Sequence, residues 1–178
     1  MCLVGTADLP GKSAVQSFTQ FNGKNGCSFC EEEGEVVPVG KGHSRAYPYK
    51  PGPPKQPHTK DSVFQQGLLS QQQGTPVCGV KMVSQLCLID GFDIVQGMPL
   101  DYMHGVLLGV VKMLCSMWFD SKYKKEPFYI GDKVSIVDER LLRCHPPDFI
   151  SRLPCGLQDR KYWKGAVYFY GVLFNINK

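Results

Sequence analysis

Three groups of residues in this 178-residue chain have types and spacings that suit chemistry. Cys27-Ser28-Phe29-Cys30 places two thiols on one tight turn, which fits one edge of a tetrahedral zinc ion. Two ligands make half a site. His43, Cys78, Cys87, His104 and His145 are the candidates for the other half, and none forms a second close pair. Inert thiols and a redox dithiol are the competing readings; the acidic run Glu31, Glu32, Glu33 and Glu35 disfavours the low thiol pKa that redox chemistry needs. Asp8 precedes Leu9-Pro10-Gly11, so a strand ending there could offer its carboxylate to magnesium, although a turn-forming Asp fits the same residues. Asp101 and His104 stand three apart at a helix start. Their hydrogen bond could fix a histidine tautomer beside a metal, or simply cap the helix.

The elements that must position these groups follow from periodicity and punctuation. An apolar run over residues 1–7 predicts a short strand, and Val15, Phe18 and Phe21 a helix of two or three turns. From Val36 to Lys60 no acidic residue occurs, while Lys41, Arg45, Lys50, Lys55 and Lys60 recur with Tyr47 and Tyr49 between them. Cations release counterions from nucleic acid and rings stack on bases, so the stretch suits a DNA backbone as well as it suits a solvated loop. Pro48, Pro51, Pro53, Pro54 and Pro57 hold it extended as an arm. Beyond Pro99 the sequence is apolar almost all round to Phe119, predicting a buried helix. Val134, Val137 and Leu141 share one face of a second helix over 132–143, with Glu139 paired to Arg143 and His145-Pro146-Pro147 as its stop. Strand and helix both remain open for residues 160–178.

Bulk properties set the bounds. Hydrophobic residues make up 43%, enough for a core, and Lys plus Arg exceed Asp plus Glu by 20 − 16 = 4. Residues 1–12 lack a basic segment followed by a long apolar run, so the eight cysteines are expected reduced, in cytosol or nucleus. Residues 106–119 are interrupted by Lys112 and fall short of the ~20 residues of a bilayer span, so no membrane segment is expected.

Together the motifs resemble the CACTA (En/Spm) class of DNA transposases, and more distantly the V(D)J recombinase catalytic subunit. The likeness rests on Asp8-Leu9-Pro10 followed by Cys27 and Cys30, on Gly42-His43-Ser44-Arg45-Ala46-Tyr47-Pro48-Tyr49, and on Pro99-Leu100-Asp101-Tyr102-Met103-His104 leading to Trp118-Phe119. It continues through Tyr129-Ile130-Gly131, Arg152-Leu153-Pro154 and Arg160-Lys161-Tyr162-Trp163-Lys164. The resemblance implies an α+β chain with part of an RNase H-like nuclease core, in which three acids hold two magnesium ions. Asp8 matches the second acid, Cys27 and Cys30 the inserted zinc cysteines, and Asp101 with His104 an element of structural support. Gly11-Lys12 departs from the family's Ala-Arg, and the likeness fades from Gly165 onward. No strand carrying a first acid precedes Asp8, and neither the third acid nor the zinc histidines fall within the chain. The expectation is therefore a nuclear, transposon-derived fragment without strand-transfer activity alone. The alternative is a domesticated module binding nucleic acid or a protein. Four segments follow: a nuclease-core remnant at 1–35, a basic arm at 36–61, a helical insertion at 62–165 and a divergent tail at 166–178.

Overall fold

Asp8, expected at a strand tip, caps a helix instead. In the computed structural model, which describes residues 4–53, 55–143, 155–165 and 167–168, residues 4–8 form no strand. Helix α1, Leu9–Val15, begins one residue after Asp8, whose carboxylate accepts the Gly11 amide at 2.8 Å, with Pro10 in the first turn where its missing N–H costs nothing. The helix thus starts earlier than the Val15, Phe18 and Phe21 spacing predicted. Ser17, at φ 59°, ends it and turns Phe18 inward.

The chain divides into two units, Met1–Leu100 and Asp101–Lys178, so the division falls inside the segment expected to be one helical insertion. Mixed helix with a small sheet agrees with α+β in general.

The first unit packs around Phe18, Val63, Val80, Ile94 and Val95, with Phe92, Cys87 and Met98 beside them. Backbone bonds from Thr19 to the Gly79 carbonyl (2.7 Å) and from Lys81 to the Ser17 carbonyl (2.8 Å) hold Phe18 against Val80. Gln16 is buried with it and donates to the Ile94 carbonyl. Strands β1, Glu35–Val39, and β2, Gly42–Ala46, form an antiparallel hairpin within the expected arm. Gly40, at φ 57°, supplies the left-handed residue of its two-residue turn. Helix α2, Lys60–Gln73, follows, with a reciprocal cap between Thr59 and Ser62 and a left-handed Gly74 at its end. It lies so close to the chain at 82–83 that a Cβ on Gly67 would stand 2.8 Å from the Val83 amide nitrogen.

The second unit opens with one continuous helix, Tyr102–Phe119: a π-helical segment, Tyr102–Val111, then α3, Lys112–Phe119. Leu107, Val111, Cys115 and Phe119, each four apart, turn one stripe into a core with Leu141, Leu157, Trp163 and Tyr168. The expectation of burial all round fails, because Met103, Val106, Val110 and Met113 are exposed. The helix is also longer than the window judged too short for a bilayer: 18 residues at mean hydropathy 1.3, long and apolar enough to cross one by length and composition. Its buried stripe joins the second core, while 22% of the helix is buried. After it comes α4, Val134–Leu142, which seats Leu141 in the core with Val134 and Val137 against it, and Arg143 pairs with Glu139 at 2.6 Å, as the spacing predicted. A 3-10 turn, Leu157–Tyr162, begins the stretch left open at 160–178. His145-Pro146-Pro147, Arg152-Leu153-Pro154 and most of the tail lie outside the described residues.

Candidate functional site

The thiols of Cys27 and Cys30 lie 3.4 Å apart, near the roughly 3.8 Å that two sulfurs on a tetrahedral zinc ion span at bonds of about 2.3 Å. Their turn is braced on both sides. The Glu31 amide donates to the Gln56 carbonyl (3.0 Å) and the His58 amide to the Phe29 carbonyl (2.9 Å), so residues 56–58 run along the thiol turn. From the other side the Tyr47 hydroxyl donates to the Gly23 carbonyl and accepts the Gly26 amide (2.6 Å), tying the hairpin exit to the same loop. Burial raises the Cys30 thiol above its ordinary value, aided by its hydrogen bond with Cys27. Among the described residues no group of three His, Cys, Asp or Glu side chains converges to hold a metal ion. The pair fits two zinc ligands and no more.

Two side chains beside this turn, Lys12 and His58, escaped the sequence reading, and a third, Cys78, was among its candidate zinc ligands. Lys12 is 2% exposed, its ammonium 3.9 Å from the centre of the Phe29 ring and without a hydrogen-bond acceptor among the described residues. Burial lowers its pKa to about 8, with Cys27 opposing the shift. His58 is equally buried, edge-on to Phe18 at 5.2 Å, with neither ring nitrogen bonded among the described residues; burial pushes its pKa down against the pull of Glu31. Cys78, at φ 47°, hydrogen-bonds Glu31, and its thiol is raised first by burial. No local pattern flags a Lys or His that only tertiary packing encloses.

Asp8, expected to offer its carboxylate to magnesium, is exposed, and its Oδ1 accepts the helix-cap amide of Gly11. Asp101 and His104 do meet, at 2.8 Å between Oδ2 and Nδ1, while Oδ1 accepts the His104 amide at 3.1 Å. These bonds from His104 hold the Asp101 carboxyl below its usual value. The pair therefore caps the Tyr102–Phe119 helix from the outside, with the imidazole still half exposed.

The five arm cations are not equally available. Lys50 pairs with Glu35 at 2.7 Å and lies 3.8 Å from Glu32; Arg45 donates to the Glu33 and Gly34 carbonyls; Lys60 donates to the Ile89 carbonyl at 3.2 Å. Lys55 borders a cavity of about 400 Å³ that Glu31, Glu33 and Cys78 also line. Lys41 sits exposed in the hairpin turn, and Tyr49, 93% exposed, is the free ring that Tyr47 is not.

Compared with known proteins, the chain matches no family model, no curated protein and no solved structure.

Proposed function

We propose that the chain is a transposon-derived segment of a CACTA-type DNA transposase, related to part of an RNase H-like core, that works in the nucleus on DNA without catalysing strand transfer alone. The observation that carries this proposal is the position of Asp8. Two-metal phosphodiester chemistry needs several carboxylates converging on paired cations. Here the matching acid faces solvent and caps α1, and no group of three or more acidic, His or Cys side chains able to hold a metal ion forms among the described residues. Cys27 and Cys30 supply two of the four ligands of a structural zinc ion, which would rigidify the turn that carries them. Asp101 and His104 serve the helix they cap. A strand-transfer assay with supercoiled DNA and magnesium or manganese tests the proposal: no joined product is expected from this chain, and robust joining would overturn it.

A second reading, a domesticated module that binds nucleic acid or a protein, is favoured by the hairpin and arm. Lys41, Lys55 and Tyr49 present two cations and an aromatic face to solvent from one short stretch. A salt-dependent shift of labelled DNA is expected. Lys41→Ala with Lys55→Ala should flatten the dependence of log affinity on log salt by about 0.9 per lost phosphate contact. DNA binding at low salt that is absent, or unchanged in the double variant, would reject it.

A further inference from the structure

The second unit contains a cavity of about 260 Å³ between α3 and the Leu157–Tyr162 turn, unrelated to the thiol turn or the arm. Three cations border it, Lys112, Arg160 and Lys161, against the single carboxylate of Asp120. Both oxygens of that carboxylate are already engaged: one accepts the Ser116 hydroxyl and the other pairs with the Arg160 guanidinium. Arg160 is fixed in turn, since its other nitrogen donates to the Leu157 carbonyl at 3.1 Å and its own carbonyl accepts the Tyr168 hydroxyl at 3.2 Å. Lys112 and Lys161 remain exposed at the rim, Lys161 resting 4.8 Å from the Tyr162 ring centre. The inner wall is Cys115, a neutral thiol at physiological pH because burial pushes its pKa up to about 11, and it offers an anion no opposing charge.

From this arrangement we infer that the cavity binds a phosphate monoester, with Lys112 and Lys161 closing on the phosphoryl oxygens and the Gln158 amide donating beside them. A net excess of two positive charges around a fixed arginine suits a dianion, and charge-assisted bonds of this kind are the strong ones. The volume lies below the roughly 300–1,000 Å³ of sites that engulf a drug-sized ligand. It therefore takes the phosphoryl group with a sugar-sized piece and leaves a base or chain outside. The same chemistry is found on a free sugar phosphate and on the 5′-phosphorylated end of a nucleic acid.

The inference stands apart from the transposase proposal and is tested on the intact chain with defined probes. Isothermal titration with inorganic phosphate and ribose 5-phosphate, and with one oligonucleotide with and without a 5′-phosphate, reads the affinity; near-UV circular dichroism confirms the fold of each variant. Saturable binding of ribose 5-phosphate is expected, weakened about tenfold by Lys112→Gln with Lys161→Gln, two exposed positions. Gln158→Glu, which places an acid at the rim, is expected to abolish it, whereas Lys124→Gln, outside the cavity, leaves it unchanged. Preference for the 5′-phosphorylated oligonucleotide would assign the ligand to nucleic-acid ends; binding of the sugar phosphate without that preference would assign it to a free metabolite. No saturable binding of ribose 5-phosphate up to about 1 mM, or binding untouched in both rim variants, would overturn the inference.

Discussion

Replacing Lys12 by Met removes a buried ammonium while keeping the length of its stem. The folded protein holds this amine at a pKa of about 8 against an ordinary 10.5, a difference of about 2.5 units. At about 1.36 kcal/mol per unit, burial of the charge costs on the order of 3 kcal/mol. The contact with the Phe29 ring offsets about 1–2 kcal/mol of what Lys12→Met would gain at pH 7. Net stabilisation of about 1–2 kcal/mol is therefore expected, read by urea unfolding. The pH dependence is sharper. Below pH 8 the amine is charged in both states and the penalty is complete. Between pH 8 and 10.5 the folded amine is neutral while the unfolded one still binds its proton, so stability rises with pH. Above 10.5 the penalty is gone. Losing the charge removes both its burial cost and its contact with the Phe29 ring, so the gap between variant and wild type should close across that window by the same amount, about 1–2 kcal/mol. Groups other than Lys12 cancel in the difference unless they couple to it, as Cys27 does; the pair of measurements is repeated in a Cys27→Ala background. A gap that stays flat from pH 8 to 10.5, or a variant less stable than wild type at pH 7, would refute the account of Lys12 as a penalised buried charge.

Other outcomes follow from the same structure. Cobalt(II) added to the reduced chain should give a thiolate-to-metal absorption band that Cys27→Ser and Cys30→Ser each remove; a band surviving both would place the metal elsewhere. Thr59→Ala, by deleting the side-chain half of the α2 cap, is expected to cost about 1 kcal/mol, and a change within error of zero would mean that α2 holds without it. Timed alkylation at pH 8 followed by peptide mass mapping should modify Cys27 and leave Cys115 untouched, because Cys115 is buried and its pKa is about 11. Early labelling of Cys115 would show that the second core opens readily.

What could be read from the chain beforehand was mostly local. Val134, Val137 and Leu141 announced α4, and Glu139 its partner Arg143, because both depend on spacing alone. The Cys27 and Cys30 thiols meet because two intervening residues make one turn. Asp8 was legible too, had the Asp-Leu-Pro-Gly order been taken as an N-cap with proline inside the first turn. Helix α2 hid behind glutamines that blur its apolar face, although Thr59 and Gly74 mark both ends. The hairpin hid inside a stretch judged by its charges, yet Val36, Val37 and Val39 before Gly40 are strand residues before a turn. No such signal existed for Lys12, His58 or the Arg160 cavity, since each arises from segments brought together only by folding. The stripe of exposed residues on the Tyr102–Phe119 helix was equally unreadable, because composition does not say how much of an apolar helix finds a neighbour.

Gly67 gives α2 a keyed seat. Where most helices meet their neighbours through side chains that can slide and repack, here main chain touches main chain, and the notch that permits it is one residue long. A slip of the helix by a single position would drive the Cβ of Gln66 or Leu68 into the Val83 amide. The alignment of α2 is thus specified by a missing group, and random mutagenesis with selection for folded protein should leave residue 67 as glycine while Gln72 and Gln73 drift freely.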